Sequence, residues 1–326
     1  MGETTPRTTT QDDHFANILA EFSKTFGSPS SKYPTVRCIS RTALIRELVE
    51  IRDRLSHPGT RHISGQALLE FLLRSGLVHR VSHIDSADNQ SPAQFFSIGL
   101  NGSTSELNPI ELLQAMVSQG IVCYFTAVQF HNLSTQIPTH HHIARITKTS
   151  SRPRKAPSIS PIHRIPSTGA PKKRNRLGRQ QFLYHGIPYY ITNRESTRVP
   201  GIQKRYYTDK TVFSITTYEQ TLLDTLDRPL SCGGPSVVFE AWENAAGELD
   251  QKRILDHLRT IKDQRLTRRV GFMLHDHLQH KLNTDLRRYL YRIRSQHSKD
   301  QAAAMISLLP GYEFSHPNHG WGLEVP

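Results

Sequence analysis

Apolar residues recur at Phe15, Ile18, Leu19, Phe22 and Phe26, the spacing of one helix face, with Asp12 and Asp13 at its positive end and Gly27 as its stop. A second helical pattern starts near Ser40, places Leu44, Leu48, Ile51 and Leu55 on one side, and ends at Ser56-His57-Pro58-Gly59. A third starts at Ser64, with Ala67, Leu68, Phe71 and Leu72 inward and Gly76 as its stop. The period then shortens, and Leu77 to Val81 and Phe95 to Leu100 predict two short strands separated by polar residues 82 to 94. Three helices and a hairpin in that order predict a winged helix-turn-helix over residues 1–102.

Beyond it the pattern mixes strands and helices. Asn108-Pro109 predicts a cap and first-turn proline for a helix with Ile110, Leu113, Met116 and Val117 inward, closed by Gly120. Ile121 to Phe125 predicts a buried strand, Thr126 the cap of a short helix stopped at Ile137-Pro138, and His140-His141-His142-Ile143 the start of another strand. Phe182 to Tyr184, Ile187 to Ile191 and Lys204 to Tyr207 continue the sheet, and Val212, Phe213 and Ile215 run into a helix whose Thr217 and Gln220 have the spacing of a capping box. Pro229 stops that helix, and Cys232-Gly233-Gly234 supplies a loop open to positive φ. Further helices follow on Val237, Val238, Ala241 and Trp242, on Ile254, Leu255, Leu258 and Ile261, and on Leu266, Val270, Met273 and Leu274. The expected fold class is α+β: the winged helix-turn-helix, then a mixed α/β domain over residues 103–326 with a C-terminal helical region.

Composition changes this picture through the placement of charge. The chain of 326 residues carries a net charge of +13, and twelve of its 41 basic residues lie between positions 112 and 194, a stretch with no Asp or Glu. Residues 148 to 180 are rich in Pro, Ser, Lys and Arg and cannot build a core, so they predict a flexible basic insertion. Such a segment attracts a phosphate polymer without reading its sequence. No apolar run reaches the roughly 20 residues that span a bilayer, and the polar N-terminus lacks a signal-peptide core, so the expected location is cytoplasmic with no membrane partner. Cys38, Cys123 and Cys232 are too far apart in sequence for a disulfide framework or a zinc spacing.

An α-helix fits the major groove, which makes the helix from Ser64 the expected reading element, with Gln66, Glu70 and Arg74 outward. Arg61 and His62 before it, and Arg41 and Arg46 on the preceding helix, are expected phosphate contacts. Arg152, Arg154, Lys155, Lys172, Lys173, Arg174, Arg176 and Arg179 of the basic segment complete the expected DNA-binding set. Winged helices also serve protein contacts, and Asp85 and Asp88 in the expected wing oppose phosphate. Adjacent histidines on a strand alternate faces, so His140 to His142 predict no metal site, and no cofactor is expected. Asp224 and Asp227 share helical spacing and His275-Asp276-His277 looks like a ligand cluster, but neither comes with a nucleophile or a matched metal set, so an enzyme is not expected. The spacing suggests instead a helix-end pair of Asp227 with Arg228, and backbone hydrogen bonds for Asp224 and Glu219.

The run Thr217-x-Glu219-x-Thr221-Leu222-Leu223-Asp224-x-Leu226-Asp227-Arg228-Pro229, followed by Cys232-Gly233-Gly234, resembles the signature of the AbiEi family. Thr126-Ala127-Val128-x-Phe130-His131-x-Leu133-Ser134 and Trp321-Gly322-Leu323 fit the same resemblance in the same order, while Tyr218, Gln220 and the long basic stretch depart from it. The resemblance implies an antitoxin and transcriptional autorepressor of a phage-defence operon. Its implied partners are operator DNA with inverted repeats, which suits a homodimer, and a nucleotidyltransferase-like toxin. The alternative from another class is a nuclease-like defence enzyme that holds substrate with the basic segment.

Overall fold

The computed structural model describes residues 11–27, 37–55, 61–86, 93–99, 107–148, 177–206, 212–299 and 304–326. The first elements are α1 (Gln11–Gly27), β1 (Cys38–Ser40), α2 (Arg41–Leu55), α3 (Gly65–Arg74), β2 (Val78–Arg80), β3 (Ile84–Ser86), β4 (Phe95–Ile98), α4 (Pro109–Met116) and β5 (Ile121–Cys123). Next come α5 (Phe125–Phe130), β6 (His141–Thr147), β7 (Arg179–Tyr184), β8 (Ile187–Glu195), β9 (Ile202–Tyr206) and β10 (Val212–Thr216). Helices then dominate as α6 (Tyr218–Asp227), α7 (Pro235–Ala245), α8 (Gln251–Ile261), α9 (Gln264–Phe272) and α10 (Thr284–Lys299). The last elements are β11 (Ile306–Ser307), β12 (His316–Asn318) and β13 (Leu323–Val325). The fold is mixed α+β with the expected helical region toward the C-terminus.

The described strands form three sheets, ordered β1-β4-β2, β3-β7-β8-β6-β5-β10-β9 and β11-β13-β12. By packing, the chain divides into two compact units, residues 1–122 with 181–189 and 204–215, and residues 123–180 with 190–203 and 216–326. The boundary expected near Gly102 lies outside the described residues, as does most of the basic insertion.

In the first unit, Ile18, Phe22 and Phe26 of α1 close on Leu44, Leu48 and Ile51 of α2 and on Leu68, Leu69 and Leu72 of α3. The rings of Phe15 and Phe71 pack tilted by 32° with their centres 4.1 Å apart. Ser64 caps α3 as its position predicts, its hydroxyl accepting from Ala67 N at 3.1 Å. β2 and β4 pair antiparallel with Val78 opposite Ile98, and β1, a strand too short to announce itself, pairs β4 through Ile39 and Phe96. The stretch expected as a polar connection contains β3, which pairs antiparallel with β7 through Ile84 and Tyr184. Asn108 and Glu111 form the reciprocal cap of α4, the side chain of Asn108 accepting from Ile110 N at 2.9 Å and Glu111 accepting from Asn108 N at 3.1 Å. β5 and β10 run parallel, with Ser214 opposite Ile121.

In the second unit, α5, α6, α7, α8, α9 and α10 pack a common core with Trp242 and Trp321 fully buried. Thr126 does not cap α5. The helix starts after Tyr124, whose φ of 57° and ψ of −133° are rare for an L residue, and Thr126 is spent on tertiary bonds to His141 Nδ1 at 3.1 Å and His142 N at 3.2 Å. Thr217 caps α6 by accepting from Gln220 N at 3.3 Å. The return half of the expected capping box is missing, because Thr217 N donates to Gly201 O at 3.0 Å and the Gln220 amide is used elsewhere. Gly233 and Gly234 take φ of 99° and 92°, as the loop composition requires.

α9 packs tightly on the indole of Trp321, since a Cβ on Gly271 would stand 2.3 Å from the ring. A buried indole cannot swing away, so Gly271→Ala should cost about 1–3 kcal/mol through overpacking. Gly247, with nothing within 4 Å of its would-be Cβ, provides the control. Urea denaturation of both variants checks this: Gly247→Ala should match the parent, and an equally unaffected Gly271→Ala would show that α9 has slack.

Candidate functional site

α3 buries Leu68, Leu69 and Leu72 and leaves Gln66, Glu70 and Arg74 exposed at successive four-residue steps, so one strip of the helix faces solvent. Arg41, at the start of α2, reaches that strip and donates to Gln66 Oε1 at 2.6 Å, while Gln66 Nε2 donates to Glu70 at 2.9 Å. Arg61 and His62, in the turn before α3, are exposed, as is Arg46 on α2. The sequence thus placed the outward residues correctly, and the structure adds a bond between Arg41 and Gln66 that periodicity has no means to reveal. Ser64 is occupied as the helix cap. Arg179 is exposed on β7. Arg152, Arg154, Lys155, Lys172, Lys173, Arg174 and Arg176 lie outside the described residues.

The signature residues have a different fate, because α6 is buried along most of its length. Leu222, Leu223 and Leu226 are core, and Thr221 shares a hydrogen bond with Thr216 at 2.8 Å and donates to Thr217 O at 2.8 Å. Glu219 is buried with Arg253 3.9 Å away. Pro229 opens a 3-10 turn, Pro229–Cys232. At the exposed end, Asp227 and Arg228 stand 3.8 Å apart, the helix-end pair that the spacing suggested.

Asp224 departs from expectation. Rather than bonding backbone, it takes a two-pronged hydrogen bond from Arg194 of β8, at 2.5 and 2.6 Å, and a third from Gln220 Nε2 at 2.8 Å. Both partners are buried, and the Arg194 guanidinium also stands 5.0 Å from the centre of the Tyr124 ring. Burial opposes the charge on Arg194, but the Asp224 carboxylate outweighs it and keeps the guanidinium protonated well above its ordinary range. Arg194 therefore does not belong with the basic residues available to phosphate. Asp224 and Asp227, equivalent by spacing, sit in different surroundings, one sealed and one partly exposed.

A polar cavity of about 320 Å³ opens over this pair, with Tyr124, Thr147, Asn193 and Arg198 in its wall. Each guanidinium at it has its own carboxylate: Arg194 has Asp224, Arg228 has Asp227, and Arg198 has Asp263 at 2.7 Å. Glu195, in the wall, adds a fourth carboxylate, so the cavity carries no excess of positive charge. Behind it, burial pushes the thiols of Cys123 and Cys232 far above their ordinary range, which removes them as nucleophiles.

The segment from Thr126 to Ser134 meets the signature in space. His131 Nε2 pairs with Thr216 O at 2.8 Å and its ring stands 5.8 Å from that of Tyr218. Ser134 and Thr135 bond Glu240 and hold its carboxyl down at about 2. His140, His141 and His142 are all buried, and the rings of His140 and His142 pack edge to face 5.0 Å apart. No group of three His, Cys, Asp or Glu residues suited to a metal ion occurs among the described residues. Desolvation lowers His141 to about 4 and His142 to about 3.

No protein-family model matches the chain, and no curated protein matches it. Among solved structures, the crystal structure of RV2827C protein from Mycobacterium tuberculosis superposes with a TM-score of 0.50 at 11% sequence identity, covering 98% of this chain and 94% of that one. The likeness at that identity is one of fold.

Asp224→Ala should strip a buried guanidinium of its counter-charge and cost on the order of 3–5 kcal/mol, whereas Arg194→Met with Asp224→Leu should recover much of that loss. Equilibrium denaturation measures both, and a double variant no better than Asp224→Ala would mean the cost lies in packing rather than charge. The buried histidines predict an acid limit. Their pKa values are depressed in the folded state, so stability is full above an unfolded value near 6.5 and falls as pH drops toward about 4 and about 3. Between pH 7 and 5 the loss should be on the order of 2 kcal/mol for each of His141 and His142. A melting temperature flat over that interval would mean that these rings are already charged in the folded protein.

Proposed function

We propose that this chain is a DNA-binding transcriptional autorepressor and antitoxin, with the head formed by α1, β1, α2, α3, β2 and β4 reading duplex DNA. The observation that carries the reading is the exposed strip Gln66, Glu70, Arg74 on α3, with Arg41 bonded to its first member. The chemistry suits base edges: Arg pairs with guanine, Gln with adenine, and Glu accepts from cytosine. A helix presented this way, with an antiparallel pair of strands after it and a third strand before α2, is the arrangement that a winged helix-turn-helix uses. Arg46, Arg61 and His62 supply neighbouring phosphate contacts, and the sequence-level excess of charge in residues 148–180 supplies attraction without selectivity.

The antitoxin part rests on the resemblance of the signature to AbiEi proteins. The signature is mostly buried, so in this reading it builds the second unit, and neutralisation of a nucleotidyltransferase-like toxin falls to surfaces that this scaffold carries.

Arg74→Ala should weaken binding to the operator by about 1–3 kcal/mol if it reads a base, and relax preference at one position. Deleting residues 150 to 178 should instead weaken binding to all DNA alike and reduce the salt slope by about 0.9 per lost phosphate contact. Titrations against the upstream region of its own gene and against unrelated duplex distinguish the two. In a growth assay with the neighbouring toxin, Arg74→Ala driven from an unrelated promoter should still rescue. Failure of Arg74→Ala to alter binding would remove α3 as the reader, and magnesium-dependent cleavage of the duplex would favour the nuclease reading instead.

A further inference from the structure

The segment after α9 is one π turn, Met273–His277, which brings His275 and Asp276 side by side at the surface. Such widened turns recur where a helix must aim functional side chains. His275 Nδ1 pairs with Asp276 Oδ1, and the second carboxylate oxygen, Oδ2, accepts from Asn318 Nδ2 at 2.8 Å. On the other side of the ring, Tyr291 Oη lies 2.6 Å from His275 Nε2. Partial burial raises the Asp276 carboxyl, but the hydrogen bonds from His275 and Asn318 outweigh that and keep it below its ordinary value. An ionised carboxylate only accepts, so Nδ1 carries the imidazole proton and Nε2 is left to receive the Tyr291 hydroxyl proton.

The outer end of this chain of bonds is open. Tyr291 is 37% exposed, and the Arg294 guanidinium stands 5.5 Å from its ring centre. Arg294 is itself held in place, 5.2 Å from the ring centre of the buried Trp321 and over Gly320, where a Cβ would come within 2.6 Å of Nη2. Fastening the π turn to β12 would account for the bond between Asp276 and Asn318. It does not account for a part-exposed tyrosine whose hydroxyl meets an oriented imidazole and whose ring carries a guanidinium over it, which are the parts of an activated nucleophile.

We propose that Tyr291 is a nucleophilic acceptor site for a phosphoryl group. Tyr291 Oη attacks the phosphorus of an electrophilic phosphoryl donor. The new O–P bond forms as the bond from phosphorus to the leaving group breaks, the leaving group takes that electron pair, and the phenolic proton passes to His275 Nε2. No oxidation or reduction is involved. Arg294 supplies positive charge beside the incoming phosphoryl oxygens.

A fluorophosphonate is the test reagent, because its fluoride leaves as the O–P bond forms and the adduct is read by peptide mass spectrometry. Tyr206, 69% exposed, serves as the internal standard for an unassisted phenol on the same full-length protein. Tyr291 should label about 100-fold faster than Tyr206, the low end of what a positioned base contributes. His275→Gln should bring the Tyr291 rate down to that of Tyr206 while leaving the Tyr206 rate and the melting temperature unchanged, and Tyr291→Phe should remove the adduct. Equal rates at the two tyrosines in the parent would overturn the proposal, as would a Tyr291 rate indifferent to His275→Gln. Should His275→Gln fail to fold, the parent's ratio of rates decides alone.

Discussion

The second unit is built around a charge that cannot be left alone. Removing a guanidinium and a carboxylate from water costs several kcal/mol each, and only near-ideal geometry repays it. Arg194 and Asp224 meet that demand with two short parallel bonds. Their neighbours follow from the same demand. The Gln220 amide turns to Asp224 instead of closing its helix cap, and Tyr124 lays its ring under Arg194 from a left-handed backbone. The signature run is accordingly a recipe for an interior: its carboxylate is matched from β8, its threonines satisfy one another, and its leucines fill the space between helices.

Local signals were legible and tertiary ones were not. Ser64, Asn108 and Thr217 cap the helices expected of them, because a cap is an interaction over two or three residues. The outward strip of α3 was legible for the same reason, since period alone decides which side chains a helix buries. Two of the three-residue strands were missed: β1 and β3 exist because of partners far along the chain, at Phe96 and Tyr184. Thr126 looked like a cap and was claimed by His141, fifteen positions away. Arg194 counted as one more cation in an acid-free stretch because its partner lies thirty residues on, outside that stretch. His275-Asp276-His277 was visible as a cluster, but Tyr291 was not, since nothing in sequence ties one turn of a helix to the next element.

Arginine serves opposed ends in this chain. Arg41 and Arg74 stay in solvent, where charge acts at a distance and falls off within about 10 Å at 0.1 M salt. Arg194 and Arg198 are consumed by carboxylates and contribute little beyond them. A net charge of +13 therefore overstates how uniformly cationic the surface is, and the character of the head comes from a few placed side chains.

The two cores also differ in when they can exist. That of the helical head draws on residues from Ile18 to Phe96, whereas that of the second unit includes Trp321, pressed against Gly271, and Val325. During synthesis at roughly 5–20 residues per second, the ribosome needs about 10–45 s to go from the last residue of the first core to that tryptophan. The head can be folded for that whole interval while α6 to α9 still lack the indole that closes their core. Each new chain thus passes through a stage in which the core of the head is complete and that of the body is not, and that body's exposed leucines are what a chaperone would meet.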